Sequence, residues 1–406
     1  HTHHEGAHGL GLDTQVLFGP ANPATSVAEL NEAEIISGHA KARKKTVGRA
    51  ISTYTSRFGV KAYPVVSTGH IKWPRVGMRQ PLAGQYWMAR ELYHLAHRAY
   101  ARSGVFTKVD FTSADGATTP SVMHWTCPLP VTARGVANIL TVHDVIPLML
   151  PHSTGDNISG FYRLLDEACH RADHILSVSE ATKTDLVRLF PDLEPRISVS
   201  YQPVFQPEPA DREEVALWLK DALKLDFGNY FLFYGAIEPK KNLGRIVEAY
   251  LDSGSQRPLV IVGGRQWLQE QEVGLLNAHL EQQPNTRIVR LDFLPRSSLD
   301  KLIRGARATL FPSLYEGFGL PVLESMALGV PVLGPYEGAV AEVGAEAILG
   351  VDPYDTASIA TGIRELDKDD EVRRGLSLAG KARAELFSPS EYSDRLATIY
   401  QKFGLL

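Results

Sequence analysis

The sequence has few cysteines, little net charge and no long apolar run, and each shortage excludes a class of protein. Two cysteines, Cys127 and Cys169, are too few for a disulfide framework and fit a reducing compartment. A formal net charge of -4 argues against nucleic acid as the main partner. No apolar stretch approaches the roughly 18–20 residues that a membrane span needs. We therefore expect a cytoplasmic protein with at most peripheral contact with the inner face of a membrane.

The composition is typical of a globular chain with two domains. The sequence has 406 residues, of which 44% are hydrophobic and 22% charged. A basic cluster at 41–49 is typical of a solvated face, and its functional alternative is attraction to an anionic membrane surface. The histidine-rich residues 1–8 are typical of a terminal tag or tail, and we predict no metal site.

In the first half of the chain, predicted strands and helices follow one another. We predict a strand at 15–18, an amphipathic helix at 85–103, and strands at 122–125 and 138–142. The last strand is a continuous apolar run, as expected for a buried parallel strand. His143 therefore follows the carboxyl end of a strand, where ligands bind in open α/β sheets.

The alternation continues to a linker and then begins again. A helix at 159–170, a strand at 174–178, a helix opened by Ser179 or Glu180 and a strand at 197–199 come first. Prolines then interrupt the pattern, and we place the domain linker at 201–209.

The second half predicts another doubly wound parallel sheet. Its predicted strands are 230–234, 259–262, 287–290, 309–311, 332–333 and 347–349. A helix at 389–403 closes the chain. The predicted domains are residues 1–203 and residues 204–388, followed by a C-terminal helical segment at 389–406.

The most informative stretch is the turn and helix that follow the strand at 309–311. Glu316 lies on the turn, Gly317 and Gly319 allow the backbone to approach a ligand closely, and a helix begins near Leu320. Amide groups and the positive dipole end at such a helix N-terminus favour an anion, most plausibly a diphosphate. Glu324 faces the same cleft from the first turns of the helix.

A second cluster follows the first strand of the second half. Gly235 ends that strand, and Lys240 and Lys241 supply point charges that can meet phosphates. Asn242 is predicted to be the N-cap of the next helix. Gly263 lies at the next strand end. Because carboxyl ends of parallel strands share one edge, we expect these residues and Glu316 to face one cleft.

Together, these motifs resemble those of family 4 glycosyltransferases. Glu316 and Glu324 match the E-x7-E signature of that family, in the Glu-Gly-Phe-Gly-Leu-Pro form. Gly-Ala-Ile-Glu-Pro-Lys-Lys-Asn at 235–242 and His-Asp-Val-Ile-Pro at 143–147 resemble a bacterial subgroup that builds exopolysaccharide or O-antigen repeat units, often as mannosyltransferases. The resemblance implies the GT-B fold, in which two Rossmann-like domains face each other across a cleft. Residues 1–203 would then be the acceptor-side domain and residues 204–388 the nucleotide-sugar-binding domain, and the helix at 389–406 would cross back to the first domain.

The resemblance also implies a role for each site residue. Lys241 would contact the donor diphosphate with Lys240 as a helper, Glu324 would bind the ribose hydroxyls, and Glu316 and His143 would reach the transferred sugar. His143, Glu316 and Lys241 form the expected catalytic group. Other expected donor-binding residues are Gly235, Gly263, Leu294 against the nucleobase, Gly317, and the backbone amides of Phe318, Gly319 and Leu320.

The implied reaction is the retaining transfer of a hexose from a nucleotide sugar, without a cofactor or a metal. GDP-mannose is the first expected donor and a UDP-hexose the second. The acceptor would be a glycan or a polyprenyl-diphosphate-linked oligosaccharide. The alternatives are a nucleotide-sugar epimerase or phosphorylase of the same architecture, and a catalytically silent nucleotide-sugar-binding module.

Two departures from the family pattern are visible. Many relatives carry an arginine soon after the strand-end glycine, where this chain has Ala236. Residues 8–18 look like the end of the family's first helix and its second strand, so the first strand and the Gly-rich loop are expected to be absent. Gly6, Gly9 and Gly11 match no family position.

Overall fold

The computed structural model describes residues 14–19, 59–65, 85–90, 92–112, 119–155, 157–205, 208–263, 274, 277, 287–292 and 294–404. The basic cluster at 41–49 and the glycines before Gln15 lie outside these residues. Within them, two α/β lobes follow one another along the chain.

The first lobe contains nine strands and four helices in its described part. The strands are β1 (Thr14–Gly19), β2 (Val60–Val65), β3 (Gln85–Arg90), β4 (Thr107–Phe111), β5 (Val122–Trp125), β6 (Val131–Ala133), β7 (Ala137–Val142), β8 (His174–Ser177) and β9 (Ile197–Val199). The helices are α1 (Leu92–Ser103), α2 (Ile146–Met149), α3 (Ile158–Arg171) and α4 (Glu180–Leu189).

These strands form two sheets in the described residues. One sheet has the order β1-β3-β2-β4-β6, and the other has the order β5-β7-β8-β9. The second sheet is parallel throughout, whereas β2 and β3 pair antiparallel in the first. The continuous apolar run that predicted a buried parallel strand is therefore β7, and His143 follows its carboxyl end.

The predicted helix at 85–103 is wrong in its first part. Residues 85–90 form strand β3, and the helix begins at Leu92. Trp87 and Ala89 are fully buried at alternate positions, which is the spacing of a strand. Leu92, Leu95, Ala96 and Ala99 are buried at helical spacing. The strand spacing and the helical spacing follow each other within one apolar segment, so a single helical pattern was fitted to the strand and the helix together.

The second lobe matches the predicted alternation closely. Its strands are β10 (Phe231–Tyr234), β11 (Leu259–Val262), β12 (Ile288–Leu291), β13 (Ala308–Leu310), β14 (Val332–Pro335) and β15 (Leu349–Val351). Its helices are α5 (Arg212–Trp218), α6 (Leu243–Ser253), α7 (Arg296–Arg304), α8 (Leu320–Ala327), α9 (Gly338–Gly344), α10 (Thr356–Lys368), α11 (Asp370–Glu385) and α12 (Pro389–Gln401).

The sheet of the second lobe has the order β12-β11-β10-β13-β14-β15, and all its described pairs are parallel. Strand order reverses between β10 and β13, which is the point where α/β sheets bind ligands. The strand predicted at 347–349 is displaced, because a 3₁₀ turn occupies Ala345–Ala347 and β15 follows it. Apolar side chains pack on both faces of this sheet.

The last helix, α12, packs against the first lobe. Leu396, Ile399 and Tyr400 form a buried cluster with Ile139 of β7 and Leu176 of β8. No helix among the described residues is long and apolar enough to cross a membrane.

A buried histidine connects α12 to the first lobe. His124 Nδ1 lies 2.6 Å from the hydroxyl of Tyr400, and its Nε2 lies 2.7 Å from Thr141 Oγ1. Burial, and to a smaller extent the neighbouring His143, lower the pKa of His124 to about 4. The folded protein therefore holds this imidazole neutral.

We predict that His124 makes stability fall in mild acid. The unfolded chain binds a proton near the ordinary histidine pKa of 6.5 and the folded chain near 4, so the stabilisation is complete above pH 6.5 and is lost as pH falls towards 4. A gap of this size corresponds to roughly 3 kcal/mol. Urea unfolding at a series of pH values should show that the free energy of unfolding falls less steeply towards pH 4 in His124→Gln than in the unchanged protein. The variant His152→Gln, at an exposed position, is the control, and equal slopes in all three proteins would refute the assignment.

Candidate active site

The loop after β13 leads directly into helix α8, as predicted. Gly319 precedes the helix with a φ of 109°, a conformation that favours glycine, and Pro321 lies in the first turn. The side chain of Phe318 is buried between Tyr201 and Phe387, with ring centroids 6.2 and 5.8 Å away. The side chain of Phe318 therefore holds the loop in place, and the backbone amides of the loop lie at the N-terminus of α8.

The start of α8 is also tied to the central strand β10. The hydroxyl of Tyr234 donates to the carbonyl of Pro321 at 2.6 Å and lies 3.0 Å from Ser325 Oγ. Burial, and then the charge of Glu324, raise the pKa of Tyr234 well above its usual value. The tyrosine therefore stays protonated, and the helix N-terminus has a fixed position relative to the end of β10.

The predicted lysines lie beside the predicted loop glutamate. Lys241 Nζ forms an ion pair and hydrogen bond with Glu316 Oε1, and the two side chains are only 13% and 12% exposed. Lys240 Nζ lies 3.3 Å from Glu238 Oε2. Burial opposes the charge of Lys240, but the carboxylates of Glu316, Glu238 and Asp144 outweigh it and raise the pKa of this lysine. Lys240 is therefore held as a cation among these carboxylates.

Asn242 occupies the predicted N-cap position of α6, but its side chain does not cap the helix. It has a left-handed backbone conformation, with a φ of 63°, and its side chain makes no capping hydrogen bond. Its Nδ2 instead donates to the carbonyls of Pro312 at 2.9 Å and Pro353 at 2.7 Å. This buried amide fixes the loop that carries Glu316 beneath the lysines, a role that local sequence patterns do not reveal.

The two strand-end glycines are in contact with each other. Gly235 has a φ of 134°, and its carbonyl oxygen lies 2.4 Å from where a Cβ on Gly263 would stand. Only glycine at position 263 permits this approach between the ends of β10 and β11. The residues after it, Gly264 and Arg265, lie outside the described part of the chain.

Glu324 forms a salt bridge that the sequence did not predict. Arg296 Nη1 lies 2.5 Å from Glu324 Oε1, and Arg296 Nε lies 2.9 Å from Asp300. Arg296 is the first residue of α7 and comes two residues after Leu294, whose side chain packs on the core of the second lobe. Arg296 therefore holds the carboxylate that is expected to meet the ribose, and it lies close in the chain to Leu294, which is expected to meet the nucleobase.

His143 lies on the first lobe, opposite the Glu316 loop. Its Nε2 is 2.8 Å from the carbonyl of Thr126, and its Nδ1 is 2.7 Å from Gln202 Nε2. A Cβ on Gly317 would stand 2.0 Å from the backbone oxygen of His143 and 2.8 Å from Asp144 Cβ. Gly317 therefore lets the two lobes meet where the predicted catalytic residues converge.

The N-terminus of α4 binds the second lobe directly. Ser179 Oγ donates to the carbonyl of Gly317 at 2.7 Å, and Thr182 Oγ1 donates to the same oxygen at 3.1 Å. The carboxylate of Glu342 accepts hydrogen bonds from the amides of Glu180 at 2.7 Å and Ala181 at 2.9 Å. Ser179 was predicted only as a helix start, and nothing in the local pattern indicates that its partners come from the other lobe.

A helix N-terminus, two lysines and several carboxylates thus lie together at one edge of the sheet of the second lobe. Such a site attracts a ligand with a strongly anionic part and several hydroxyl groups, because amides and lysines bind the first and carboxylates accept from the second. Among the described residues, no group of three or more His, Cys, Asp or Glu side chains is arranged to hold a metal ion.

Comparisons with known proteins agree with this architecture. Residues 218–383 match the family described as Glycosyl transferases group 1. The chain is 31% identical over 263 residues to O-antigen chain mannosyltransferase B of Escherichia coli, covering 62% of this chain and 66% of that protein. It is 27% identical over 229 residues to O-antigen chain mannosyltransferase RfbU of Salmonella typhimurium, covering 56% and 60%.

The structure is similar to that of Anabaena Alr3699/HepE, solved in complex with UDP and glucose. The TM-score is 0.58 at 16% identity, and the match covers 66% of this chain and 72% of that one. The fold is therefore the GT-B type of α/β architecture, which confirms the predicted fold class. Residues 218–383, which carry Lys240, Lys241, Glu316 and Glu324, form a Glycosyl transferases group 1 domain, and the predicted relationship to glycosyltransferases is confirmed.

We predict that Gly317→Ala destabilises the contact between the lobes. The added methyl group would meet backbone on the first lobe, so the loop or the lobes must shift, at a cost of about 1–3 kcal/mol in the free energy of unfolding. The matched control is Gly375→Ala within α11, where an added Cβ meets no atom within 4 Å. Because alanine favours a helix over glycine, this change should raise the free energy of unfolding by about 1 kcal/mol. Urea unfolding measures both. An equal change in the free energy of unfolding for the two variants would show that position 317 can accommodate a Cβ.

Proposed function

We propose that this protein is a retaining hexosyltransferase that uses a nucleotide sugar, with GDP-mannose as the preferred donor. The acceptor is a glycan or a polyprenyl-diphosphate-linked oligosaccharide in the synthesis of a bacterial surface polysaccharide. The observation that carries the proposal is the contact between Lys241 and Glu316 at the N-terminus of α8, within a glycosyltransferase domain and opposite His143.

The donor diphosphate binds where the positive groups converge. Lys241, with Lys240 beside it, and the amides of Phe318, Gly319 and Leu320 face the negative charge that grows on the departing diphosphate. Preorganised donors of this kind stabilise the transition state, and losing one typically costs about 10²–10³ in rate. Because these cations and amides supply the charge compensation, we propose that the reaction proceeds without a metal or another cofactor.

The remaining residues orient the rest of the donor. Glu324 accepts hydrogen bonds from the ribose hydroxyls while Arg296 holds the carboxylate in place. The backbone at Leu294 meets the nucleobase. Glu316 accepts from hydroxyls of the transferred sugar and keeps its contact with Lys241. This division explains why two carboxylates at one helix N-terminus have different tasks.

Positive charge develops on the sugar ring as the bond from C1 to the diphosphate oxygen breaks. His143 lies on the opposite lobe and contacts that sugar. The acceptor hydroxyl approaches from the face that the diphosphate leaves and passes its proton to a phosphate oxygen, so the anomeric configuration is retained. The contact between Gly317 and α4 excludes water from the reacting bond and limits hydrolysis of the donor.

Two alternatives differ in donor and in activity. The names of the two mannosyltransferases above favour mannose, whereas the complex of Anabaena Alr3699/HepE with UDP and glucose favours a UDP-hexose. A catalytically silent protein would bind a nucleotide sugar through the same residues and not consume it.

The donor can be identified by thermal unfolding in the presence of nucleotide sugars. A ligand at about 100 times its Kd adds roughly 2.7 kcal/mol to stability, so the true donor raises the Tm. We expect GDP-mannose to give the largest shift among GDP- and UDP-sugars, and to be hydrolysed slowly to GDP and mannose with and without EDTA. A larger shift with UDP-glucose would favour the second donor, binding without hydrolysis or transfer would favour the silent module, and loss of activity in EDTA would refute metal independence.

We predict that Lys241→Met weakens binding of the nucleoside diphosphate. A charged hydrogen bond contributes about 1.5–3 kcal/mol, so the Kd for GDP measured by calorimetry should rise roughly ten- to a hundredfold. The matched control is Lys301→Met, because Lys301 pairs with Glu214 at 2.6 Å in the same lobe but away from the cleft. Unchanged affinity in Lys241→Met would remove this lysine from the donor site.

A further inference from the structure

Gln202 follows the last strand of the first lobe, and its side chain contacts His143. Gln202 Nε2 lies 2.7 Å from His143 Nδ1, and the other ring nitrogen, Nε2, lies 2.8 Å from the carbonyl oxygen of Thr126. Both ring nitrogens are thus held from opposite sides. Gln202 belongs to the linker, which prolines mark in the sequence and no motif associates with chemistry.

The two contacts define the protonation state of the ring. A carbonyl oxygen only accepts hydrogen bonds, so the Nε2 of His143 must carry a proton. In a neutral imidazole the other nitrogen is then an acceptor, and the amide of Gln202 donates to it. The arrangement is therefore that of a neutral His143 in the Nε2–H tautomer.

The backbone around Gln202 is held by both lobes. On one side, the amide of Ser200 donates to the carbonyl of Ser177 at 2.8 Å, and on the other the amide of Val204 donates to the carbonyl of Phe387 at 2.8 Å. Tyr201, the neighbouring residue, stacks on Phe318 with an interplanar angle of 29°. Because Phe318 belongs to the Glu316 loop, the position of Gln202 depends on the same packing as that loop.

We propose that Gln202 is a positioning residue that holds His143 as a neutral imidazole in the Nε2–H tautomer, oriented for the transferred sugar. The proposal rests on the function proposed above, in which His143 contacts that sugar. The physical reason is charge: a positively charged imidazolium beside a sugar ring that is becoming positive would raise the energy of the transition state. An amide satisfies the neutral ring without adding a charge.

A carboxylate at this position would have the opposite effect. Glutamate accepts hydrogen bonds only, so Gln202→Glu requires a proton on the Nδ1 of His143 and favours either the imidazolium or the other tautomer. Gln202→Leu has a similar volume and neither donates nor accepts. The two variants separate loss of the hydrogen bond from reversal of its direction.

The test combines a spectroscopic signature with kinetics. Nitrogen NMR of protein labelled at histidine distinguishes a protonated from an unprotonated ring nitrogen, and the signals of His143 are assigned by their loss in His143→Asn. In the unchanged protein, Nε2 should be protonated and Nδ1 unprotonated. Gln202→Glu should protonate Nδ1, and Gln202→Leu should give a mixture of tautomers.

Turnover should fall in both variants by up to about 10²-fold, as small misplacements of catalytic groups do, while the Kd for GDP changes less than the kcat. Gln256→Leu, at an exposed glutamine, is the control and should keep the kcat and the His143 signals of the unchanged protein. If Gln202 had only a packing role, its replacement would change the Tm or the KM, but Gln202→Glu would not selectively protonate the Nδ1 of His143.

Two results would overturn the proposal, and they differ from each other. If the His143 signals are the same in all Gln202 variants, Gln202 does not position the ring, and the proposed function stands. If His143→Asn keeps full turnover, the ring has no catalytic task, and the proposed role of His143 fails together with that of Gln202. Loss of turnover in His143→Asn with the predicted signals in Gln202→Glu supports the proposal.

Discussion

The arrangement of the whole site depends on the carbonyl oxygen of Gly317. Two hydroxyl groups of the first lobe, from Ser179 and Thr182, donate to this single oxygen of the second lobe. Any side chain at position 317 would collide with the backbone of His143. The contact is short, buried and formed without a flexible side chain on the Gly317 side, so it fixes the distance between the lobes at the point where the donor loop turns.

This junction also determines the electrostatics of the cleft. Lys241 and Glu316 are mostly buried, and burying either charge alone would cost several kcal/mol. Pairing them offsets part of that cost and places Lys241 beside the loop that leads into α8 before any ligand arrives. The carboxylate of Asp144, on the first lobe, raises the pKa of Lys240 on the second. Carboxylates from both lobes therefore keep Lys240 charged, which suits an anionic ligand.

Local patterns predicted the second lobe well because its elements are defined locally. Fully buried strands such as β11 are continuous apolar runs, and Gly319 with Pro321 marks the start of α8. The segment at 85–90 was misread because a strand and a helix share one apolar stretch. Asn242 was placed correctly at the N-cap, but the partners of its side chain were not predicted, because they lie 70 and 111 residues away and no pattern around it reveals them.

The same limit separates the parts of the site that sequence reasoning found from those it missed. Lys241, Glu316 and Glu324 lie next to glycines and helix starts, which have local signatures, whereas Arg296 and Gln202 act only through partners brought together by folding. Arg296 pairs with Glu324, and Gln202 contacts His143. A motif therefore locates the proposed substrate-binding groups, whereas the side chains that hold those groups come from parts of the chain that only folding brings together.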